Sequence, residues 1–447
     1  MSLRGLLAAA AALAVLGGLL WWSNRNEAAK EGKADPNAPP KILDIPAEQL
    51  KKVEITKNGE TTAIERGDDA QYSITAPKPL AADQDAASGV FTSLTSFVSD
   101  RVVDEKASNL GQFGLDKPAL TVKAVRKDGK SSTLLFGDET PTQSGVFCML
   151  EGDPRLFTVA SYNKSSVDKT WKDLQDKRLL RFDELKLSRI ELVSKGGTVE
   201  FGKNAKSEWQ IVKPRPLRAD GSVVDQLLSR LREAKFDPST PEADVKKAVQ
   251  AFASGSLVAT AKVTDAAGTQ TLELRKDKDS YYYAKSSAVP GIHKMTNDLG
   301  EVMSKPLDDF RNRKLFEFGW SEPSRVDVRD GASTRGFAKK DGKWISGGKE
   351  MDSASVQALI DKLREMSAIK FPEKGFTEPA AIEAAVVSAD GKTTERVEIS
   401  KSGNYYFARR AGEPALYELD GKFVEELRQA AAGVKEAAPA KPESKKK

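Results

Sequence analysis

The chain repeats itself at an interval of about 136 residues, and this internal repeat constrains its fold more than any other feature. Short alternating segments begin three equivalent stretches, and their apolar residues Val53, Ile190 and Val326 lie 137 and 136 residues apart. An aromatic residue follows each segment at a matching distance, namely Tyr72, Trp209 and Trp344. A copy of about 130 residues is large enough to bury its own core, so the repeat predicts three domain-sized modules rather than the turns of a solenoid.

Each aromatic residue is followed by a segment typical of an amphipathic helix. The second and third segments carry apolar residues at three- and four-residue spacing, which places them on one helical face. An aspartate that can cap the helix N-terminus stands just before each segment: Asp83, Asp220 and Asp352. The sequence therefore predicts helices over residues 86–98, 223–234 and 356–366, and an inserted helix over Pro241–Phe252 without a counterpart in the third copy.

The second half of each copy has the alternation typical of antiparallel strands. Asp128-Gly129 and Asp390-Gly391 are signals for tight hairpin turns. A strand rich in aromatic residues follows in each copy and contains Val146-Phe147, Tyr281-Tyr282-Tyr283 or Tyr405-Tyr406-Phe407. We therefore expect each module to be an antiparallel sheet with helices packed against one face.

The N-terminal segment Gly5–Trp22 contains 18 residues without a charge. A helix of that length spans roughly 27 Å, close to the thickness of a bilayer core. Trp21 and Trp22 end the segment, and indole rings favour the water–lipid interface. A cleaved signal peptide is the competing interpretation, but it needs a shorter apolar run and small residues at the cleavage site. The sequence therefore predicts an uncleaved signal anchor.

The orientation of this anchor is inferred from the flanking cations. Arg4 favours an N-terminus inside the cell, whereas Arg25, Lys30 and Lys33 lie on the other flank. A single N-terminal span that resembles a signal sequence usually exports the rest of its chain. We therefore expect a single-pass protein of the bacterial inner membrane, with the bulk of the chain in the periplasm or outside the cell.

These observations predict an α+β fold: an N-terminal transmembrane helix followed by three repeated modules of antiparallel sheet packed with helices. The expected organisation is a signal anchor over residues 1–26, a linker over 27–41, modules over 42–181, 182–315 and 316–434, and a disordered basic tail over 435–447.

Several short motifs resemble one family. The string Phe113-Gly114-Leu115-Asp116-Lys117-Pro118 precedes the Asp128-Gly129 hairpin and the pair Phe136-Gly137, and Ile45-Pro46 precedes the first strand. This arrangement resembles the domain of unknown function 4340, and Gly375-Phe376-Thr377-Glu378-Pro379 is a partial echo of it in the third copy. The resemblance implies no chemistry. It does imply an association with ABC-type export systems of the gliding-motility kind, because members often accompany them.

Composition excludes several functional classes. Lys+Arg 70 against Asp+Glu 65 gives a net charge of +5, too small and too dispersed for a nucleic-acid-binding protein. One cysteine excludes an internal disulfide framework, and one histidine excludes a His-rich metal centre. His293 and Cys148 lack a partner nearby in sequence, so we interpret both as structural residues and predict no catalytic, cofactor-binding or metal-binding residue.

The other chemical motifs add no functional signal. The phosphate-binding glycine strings and the nucleophile elbow do not occur in the sequence. The carboxylate pairs Asp68-Asp69, Asp308-Asp309 and Glu425-Glu426 are typical of solvated faces. The aromatic strands could stack on sugars or peptides, although cross-strand packing is the commoner role for such residues.

Two classes of function remain. The first is a non-enzymatic, membrane-anchored envelope protein, either an accessory or partner-binding component of an ABC-type export assembly or a structural protein bridging to the cell wall or outer membrane. The second is an enzyme, such as a hydrolase of envelope polymers. The first is favoured because nothing in the sequence requires a cofactor, while the identity of any partner or small-molecule ligand is left open.

Overall fold

The computed structural model describes residues 39–438, which form two compact units that divide between Lys177 and Arg178. The strands of the first unit are β1 (Lys41–Asp44), β2 (Leu50–Lys57), β3 (Glu60–Arg66), β4 (Tyr72–Ala76), β5 (Leu80–Ala81), β6 (Ser96–Val98), β7 (Arg101–Asp104), β8 (Leu120–Arg126), β9 (Ser131–Glu139), β10 (Gly145–Leu150) and β11 (Leu156–Ala160). Its helices are α1 (Gln84–Thr95), α2 (Ser161–Val167) and α3 (Trp171–Leu174), with a 3-10 helix at Leu110–Phe113.

The second unit contains two further sheets. The strands of its first sheet are β12 (Arg189–Ser194), β13 (Gly197–Lys203), β14 (Trp209–Lys213), β15 (Leu217–Arg218), β16 (Ser256–Asp265), β17 (Gly268–Lys276), β18 (Tyr282–Ser286) and β19 (Ile292–Met295). Those of its second sheet are β20 (Arg325–Asp330), β21 (Ser333–Lys340), β22 (Lys343–Ser346), β23 (Lys349–Glu350), β24 (Ile382–Val387), β25 (Thr394–Ser402), β26 (Tyr405–Arg410) and β27 (Leu416–Leu419). The helices are α4 (Gly221–Glu233), α5 (Glu242–Ser254), α6 (Asn297–Met303), α7 (Ser353–Glu365) and α8 (Gly421–Ala432), with 3-10 turns at Glu184–Lys186 and Leu307–Asp309.

The three large sheets share one strand order. In the second sheet the order is β15-β14-β13-β12-β16-β17-β18-β19, and in the third it is β23-β22-β21-β20-β24-β25-β26-β27. The first sheet has the same eight-strand arrangement, β5-β4-β3-β2-β8-β9-β10-β11, with β7 added beyond β11. Each sheet therefore grows outward in two antiparallel meanders from a central pair, and a helix connects the two halves.

Strand register confirms that the repeat identified in the sequence is structural. The apolar residues Val53, Ile190 and Val326 occupy the same place in their sheets, since each faces an apolar residue on both neighbouring strands. These partners are Ile64 and Ala124, Phe201 and Val263, and Phe337 and Val386. The hairpins predicted at Asp128-Gly129 and Asp390-Gly391 are also confirmed, joining β8 to β9 and β24 to β25.

The predicted aspartate caps are present at the three connecting helices. The carboxylates of Asp83, Asp220 and Asp352 accept backbone N–H bonds in the first turns of α1, α4 and α7. Each helix buries one apolar face, and in α4 that face consists of Val224, Leu227, Leu228 and Leu231. Full burial of such a side chain contributes roughly 1.5–3 kcal/mol, so this face attaches the helix to its sheet.

The core follows the division into two units. Residues 39–177 have a core of their own around Val53, Phe91 and Phe136. In the second unit the buried side chains of both sheets form one continuous cluster. The three predicted module boundaries stay a prediction, although each predicted range contains one large sheet.

The predicted fold class is wrong as stated. No helix within residues 39–438 is both long and apolar enough to cross a membrane. The longest of them, such as α4, have 13 residues and span about 20 Å, short of a bilayer core of about 30 Å. The described residues also form four sheets, because β1 and β6 pair separately as a two-stranded sheet. The predicted transmembrane segment Gly5–Trp22 lies outside the described residues.

The three repeated aromatic residues occupy equivalent strand positions but differ in burial. Tyr72 pairs with Arg66, Trp209 with Lys203 and Trp344 with Lys339. Trp344 is 2% exposed, whereas Tyr72 and Trp209 are only half-buried. Of the three equivalent aromatic residues, only the one in the third sheet is therefore fully in the core.

The Gly-Leu-Asp-x-Pro element of the first unit is a packing motif. The 3-10 helix Leu110–Phe113 ends at Gly114, whose φ of 67° is the left-handed conformation that glycine adopts without strain. The carbonyl oxygen of Phe113 then lies against Gly137 of β9, where an added Cβ would be 1.9 Å away. The motif and the Phe136-Gly137 pair therefore form one close backbone contact that only glycine permits.

Candidate functional site

A large cleft lies in the second unit beside the inserted helix α5. The cleft has a volume of about 1120 Å³ and lies between β19, the segment that follows α4, and α5. We call it the β19 cleft. Its walls include Phe236, Val245, Ala248, Ile292 and His293 together with several charged side chains. The helix predicted over Pro241–Phe252 is thus confirmed as α5, and it forms one wall of this cleft.

A turn directs the chain away from the sheet and into α5. After Phe236, the Asp237 carboxylate accepts the backbone N–H of Ser239 at 2.8 Å, and its carbonyl accepts the Thr240 hydroxyl at 2.8 Å. Pro238 and Pro241 lack backbone N–H groups and fix φ, so this stretch cannot continue as a paired strand. The sequence thereby leaves a gap between the turn and β19.

Most charges around the β19 cleft are already paired. Arg230 contacts Glu233 at 3.0 Å and Asp298 at 3.6 Å, and Lys247 contacts Asp244 at 3.0 Å. Three other charged side chains, Lys235, Asp237 and Lys294, determine which ligand charge the cleft favours.

Lys235 and Lys294 line the cleft and form no ion pair with any carboxylate of residues 39–438. The Lys294 ammonium instead lies 3.6 Å from the centre of the Tyr281 ring. The Asp237 carboxylate is engaged by the turn. Two cations of the cleft therefore lack a carboxylate partner, against one carboxylate, Asp237, that lacks a cation, so an acidic group placed beside Lys294 would meet an unpaired positive charge.

His293 is in this cleft and its ring is held by a backbone group. Its Nε2 lies 3.1 Å from the carbonyl oxygen of Pro290, and its ring centre is 5.1 Å from that of Phe236. Partial burial lowers the pKa of His293, and the Pro290 carbonyl opposes that effect only in part. Burial therefore favours the neutral imidazole, which packs against an aromatic ring.

Cys148 lies in the core of the first unit. It is fully buried on β10, and burial strongly raises the pKa of its thiol, so the thiolate needed of a nucleophile is disfavoured. Aligning the aromatic strands by sequence alone predicts that Cys148 matches Tyr283 and Phe407, and the strand register shows that this prediction is wrong by one position. Cys148 faces Phe136, and the residues that face the equivalent strands are Ala284 and Ala408. The site requires a small side chain.

The aromatic strands contribute mainly to packing. Tyr282 and Tyr406 point into the cores, and the Tyr406 hydroxyl donates to Glu425 at 2.7 Å. Tyr281 and Tyr405 are 48% and 59% exposed. Of these two, Tyr281 is closer to the β19 cleft because its ring contacts Lys294.

The adjacent carboxylates are paired with cations or cap turns. Asp308 contacts Arg311 at 3.1 Å and Glu426 contacts Lys362 at 3.1 Å, while Asp69 accepts the backbone N–H of Gln71. Among the described residues no group of three or more His, Cys, Asp or Glu side chains could hold a metal ion.

The sequence did not reveal a second charged cluster, between the two sheets of the second unit. Arg218 at the end of β15 contacts Glu317 at 2.8 Å and Glu413 at 2.9 Å, and its guanidinium donates to the Tyr417 hydroxyl. Arg410 contacts Glu413 and Glu395 from the other sheet. A cleft of about 1020 Å³ adjoins this cluster. Because each cation already has carboxylate partners, the cluster joins the two sheets and presents little free charge to a ligand.

Comparison with known families agrees with this architecture. Two overlapping segments, residues 73–249 and 209–385, match a domain of unknown function, DUF4340, and together they cover more than half of the chain. The two matches begin 136 residues apart, which is the interval of the internal repeat. A comparison with curated proteins gives no match. On the strength of these two matches, the chain belongs to the DUF4340 family.

Proposed function

We propose that this protein is a non-enzymatic envelope protein that binds a partner as an accessory component of an ABC-type export assembly. The observation that carries the proposal is the β19 cleft. Its volume of about 1120 Å³ exceeds the roughly 300–1,000 Å³ of typical small-molecule pockets. Its walls combine apolar side chains with unpaired lysines, a combination that suits a polypeptide.

The chemistry of the cleft supports binding rather than catalysis. A general base needs a ring nitrogen that is free to reach substrate and a second group that orients the ring. In His293 the Nε2–H donates to the Pro290 carbonyl, which leaves Nδ1 as the basic nitrogen, but the ring packs beside Phe236 and no carboxylate of residues 39–438 hydrogen-bonds to it. The acidic residues Glu233, Asp244 and Asp298 are held by cations. The side chains thus provide contacts and charge rather than a reactive group.

The proposed location rests on the sequence. The uncharged segment Gly5–Trp22 would attach the protein to the inner membrane and leave residues 39–438 in the periplasm or outside the cell. The association with an export system rests on the family resemblance, because such proteins often accompany these systems.

A pull-down from native membranes tests the proposed function. The full chain with a C-terminal affinity tag is isolated in mild detergent, and the co-purifying proteins are identified by mass spectrometry. We expect ABC-type permease or ATPase subunits to be enriched over an unrelated single-span protein with the same tag. Recovery of the chain alone, at native abundance and after chemical cross-linking, would contradict the proposal.

Fractionation tests the location separately. The full chain should stay with membranes after a high-salt wash, and its N-terminal sequence should begin at or near Met1. Deletion of residues 1–26 should release the protein into the soluble fraction. A mature N-terminus beyond Trp22 would show instead that the segment is removed.

A further inference from the structure

The equivalent strands β11, β19 and β27 end the shared eight-strand order, and the outer edge of each is covered differently in the three copies. In the first sheet β7 pairs with β11, and the backbone N–H of Asp100 donates to the carbonyl of Thr158 at 2.8 Å. In the third sheet the segment after α7 covers β27. The N–H of Ile369 donates to the carbonyl of Glu418 at 2.8 Å, and the N–H of Glu418 donates to Lys370 at 3.0 Å. Both edges are therefore closed from within the chain.

The equivalent residue in the second sheet is Lys294. Thr158, Lys294 and Glu418 face Phe147, Tyr283 and Phe407 on the preceding strand. Throughout residues 39–438, β19 pairs only with β18, and no other backbone segment bonds to its outer edge. The chain that would cover it turns away at Asp237 into α5, so the β19 cleft takes the place of the missing strand.

We propose that the open edge of β19 binds an extended, acidic peptide of a partner protein, which adds an antiparallel strand centred on Lys294. The strands that close the other two sheets supply the geometry, since both pair antiparallel to their edges. Main-chain bonds to an exposed edge provide affinity in such complexes, and side-chain pockets provide selectivity. This inference rests on the proposed partner-binding function and names the site and the chemistry of the partner.

The charge of the occupant is inferred from the third sheet. There Lys370 of the covering segment lies opposite the edge residue Glu418, with 4.0 Å between the ammonium and the carboxylate. In the second sheet the edge residue is Lys294 and the nearby Lys235 is also unpaired. The complementary residue on an added strand is therefore Glu or Asp, since opposite charges stabilise a cross-strand pair and like charges destabilise it.

The same charge argues against a second copy of the chain as the occupant. Two β19 edges that met antiparallel around Lys294 would place lysines opposite one another. A lysine on an edge strand is a common means of preventing such self-association. The edge of β19 therefore disfavours pairing with the β19 edge of a second copy and favours pairing with an acidic strand.

Peptide binding to the full chain in detergent tests the inference. The probes are fluorescein-labelled nine-residue peptides of alternating Thr and Val whose central residue is Glu, Ala or Lys. We expect the Glu peptide to bind most tightly. The substitution Lys294→Glu should weaken its binding about tenfold and transfer the preference to the Lys peptide. Lys285→Glu, on the exposed surface of the neighbouring strand β18, is the matched control and should leave binding unchanged.

Two further measurements establish that the backbone is used. An N-methyl group at the residue before the central Glu, the position of Ile369 in the third sheet, should abolish binding, because it removes the N–H that would bond to the Lys294 carbonyl. Hydrogen exchange at the Lys294 amide should slow when the Glu peptide is added, while exchange at the Glu418 amide, already bonded to Lys370, should not change.

Several outcomes would overturn the inference. They are equal affinity for the three peptides, undiminished binding of the Glu peptide to the Lys294→Glu variant, and no binding of the Glu peptide at about 1 mM. A dimer that Lys294→Glu dissolves would assign the edge to a second copy. If the Lys294→Glu variant still co-purifies with its partners in the membrane pull-down, the proposed function stands but this site is rejected. If the wild-type chain co-purifies with no partner, the proposed function itself is rejected.

Discussion

The substitution Gly137→Ala should destabilise the first unit through a single backbone contact. Gly137 lies on β9, and a Cβ added there would be 1.9 Å from the carbonyl oxygen of Phe113. An ordinary carbon–oxygen contact is more than 3 Å, so the two segments would have to separate by over 1 Å. The Phe113 carbonyl cannot swing away like a side chain, because the 3-10 helix and Gly114 fix its position.

The expected cost follows from the rigidity of this contact. Overpacking of a well-packed interior costs about 1–3 kcal/mol, and a backbone clash belongs at the upper end of that range. We expect about 3 kcal/mol, which corresponds to a roughly 150-fold larger population of the open first unit. Gly89 is the matched control within α1. An added Cβ there meets nothing within 4 Å, and alanine is favoured over glycine in a helix by about 0.5–1 kcal/mol.

The buried thiol of Cys148 reports the opening of the first unit. It is the single cysteine of the chain, is fully buried, and faces Phe136, the neighbour of Gly137. A thiol reagent can reach it only when the strands around β10 separate. When closing is fast relative to labelling, the labelling rate is proportional to the open population.

The two alanine variants should therefore move the labelling rate in opposite directions. Gly137→Ala should raise it by about two orders of magnitude, and Gly89→Ala should lower it about two- to fivefold. Urea titrations of the labelling rate would give the free energy of opening for each variant. A wild-type rate in Gly137→Ala would refute the argument that the family motif is a backbone packing contact.

The remaining predictions concern the second unit. Trp344→Ala should lower its free energy of unfolding by about 3–5 kcal/mol, and Trp209→Ala by less, because Trp209 is only partly buried. Urea unfolding followed by circular dichroism measures both, and equal losses of unfolding free energy would contradict the burial argument. Burial holds the pKa of His293 below its value in the unfolded chain, so the unfolded state binds the proton first and stability should fall as pH drops below about 6.5. His293→Asn should flatten that part of the pH–stability curve, and an unchanged curve would assign the dependence to other groups. Arg218→Ala should lower the free energy of unfolding of the second unit by about 2–3 kcal/mol, somewhat less than the loss of a fully buried ion pair, because the arginine is 19% exposed. Arg218→Lys should restore only part of this stability. A wild-type melting temperature for Arg218→Ala would show that its ion pairs add nothing.

Periodic features of the fold could be predicted from the sequence because they are local. Alternation within strands, the Asp-Gly turns and the aspartate caps each depend on a few neighbouring residues, and the structure confirms them. The register of β10 could not be predicted in this way. Aligning the aromatic residues in the sequence matches Cys148 with Tyr283, whereas strand pairing in the structure shows that Cys148 is equivalent to Ala284. A shift of one residue reverses the face of a strand, and adjacent aromatic residues do not reveal which one points inward.

The candidate site was harder to predict because it depends on a missing contact. Sequence showed that residues 241–252 were an insertion, but it did not show which strand the insertion would leave uncovered. The uncovered strand is recognised only by comparison with the other two sheets, where β7 pairs with β11 and the segment after α7 bonds to β27. The prolines at positions 238 and 241 were the available signal, because both interrupt strand pairing.

The shared strand order has a consequence for how such a chain can diversify. Each sheet is built outward from its central pair, so its last strand can gain or lose a neighbour without disturbing the strands that bury most of the core. The first copy has gained β7 at this place, and the second carries α5. New binding specificities could therefore arise by exchanging one connecting segment between a helix and an added edge strand. A chimaera in which the third copy's connection, residues 366–381 with Lys370→Glu to face Lys294, replaces residues 234–255 should keep the second sheet folded and close its edge.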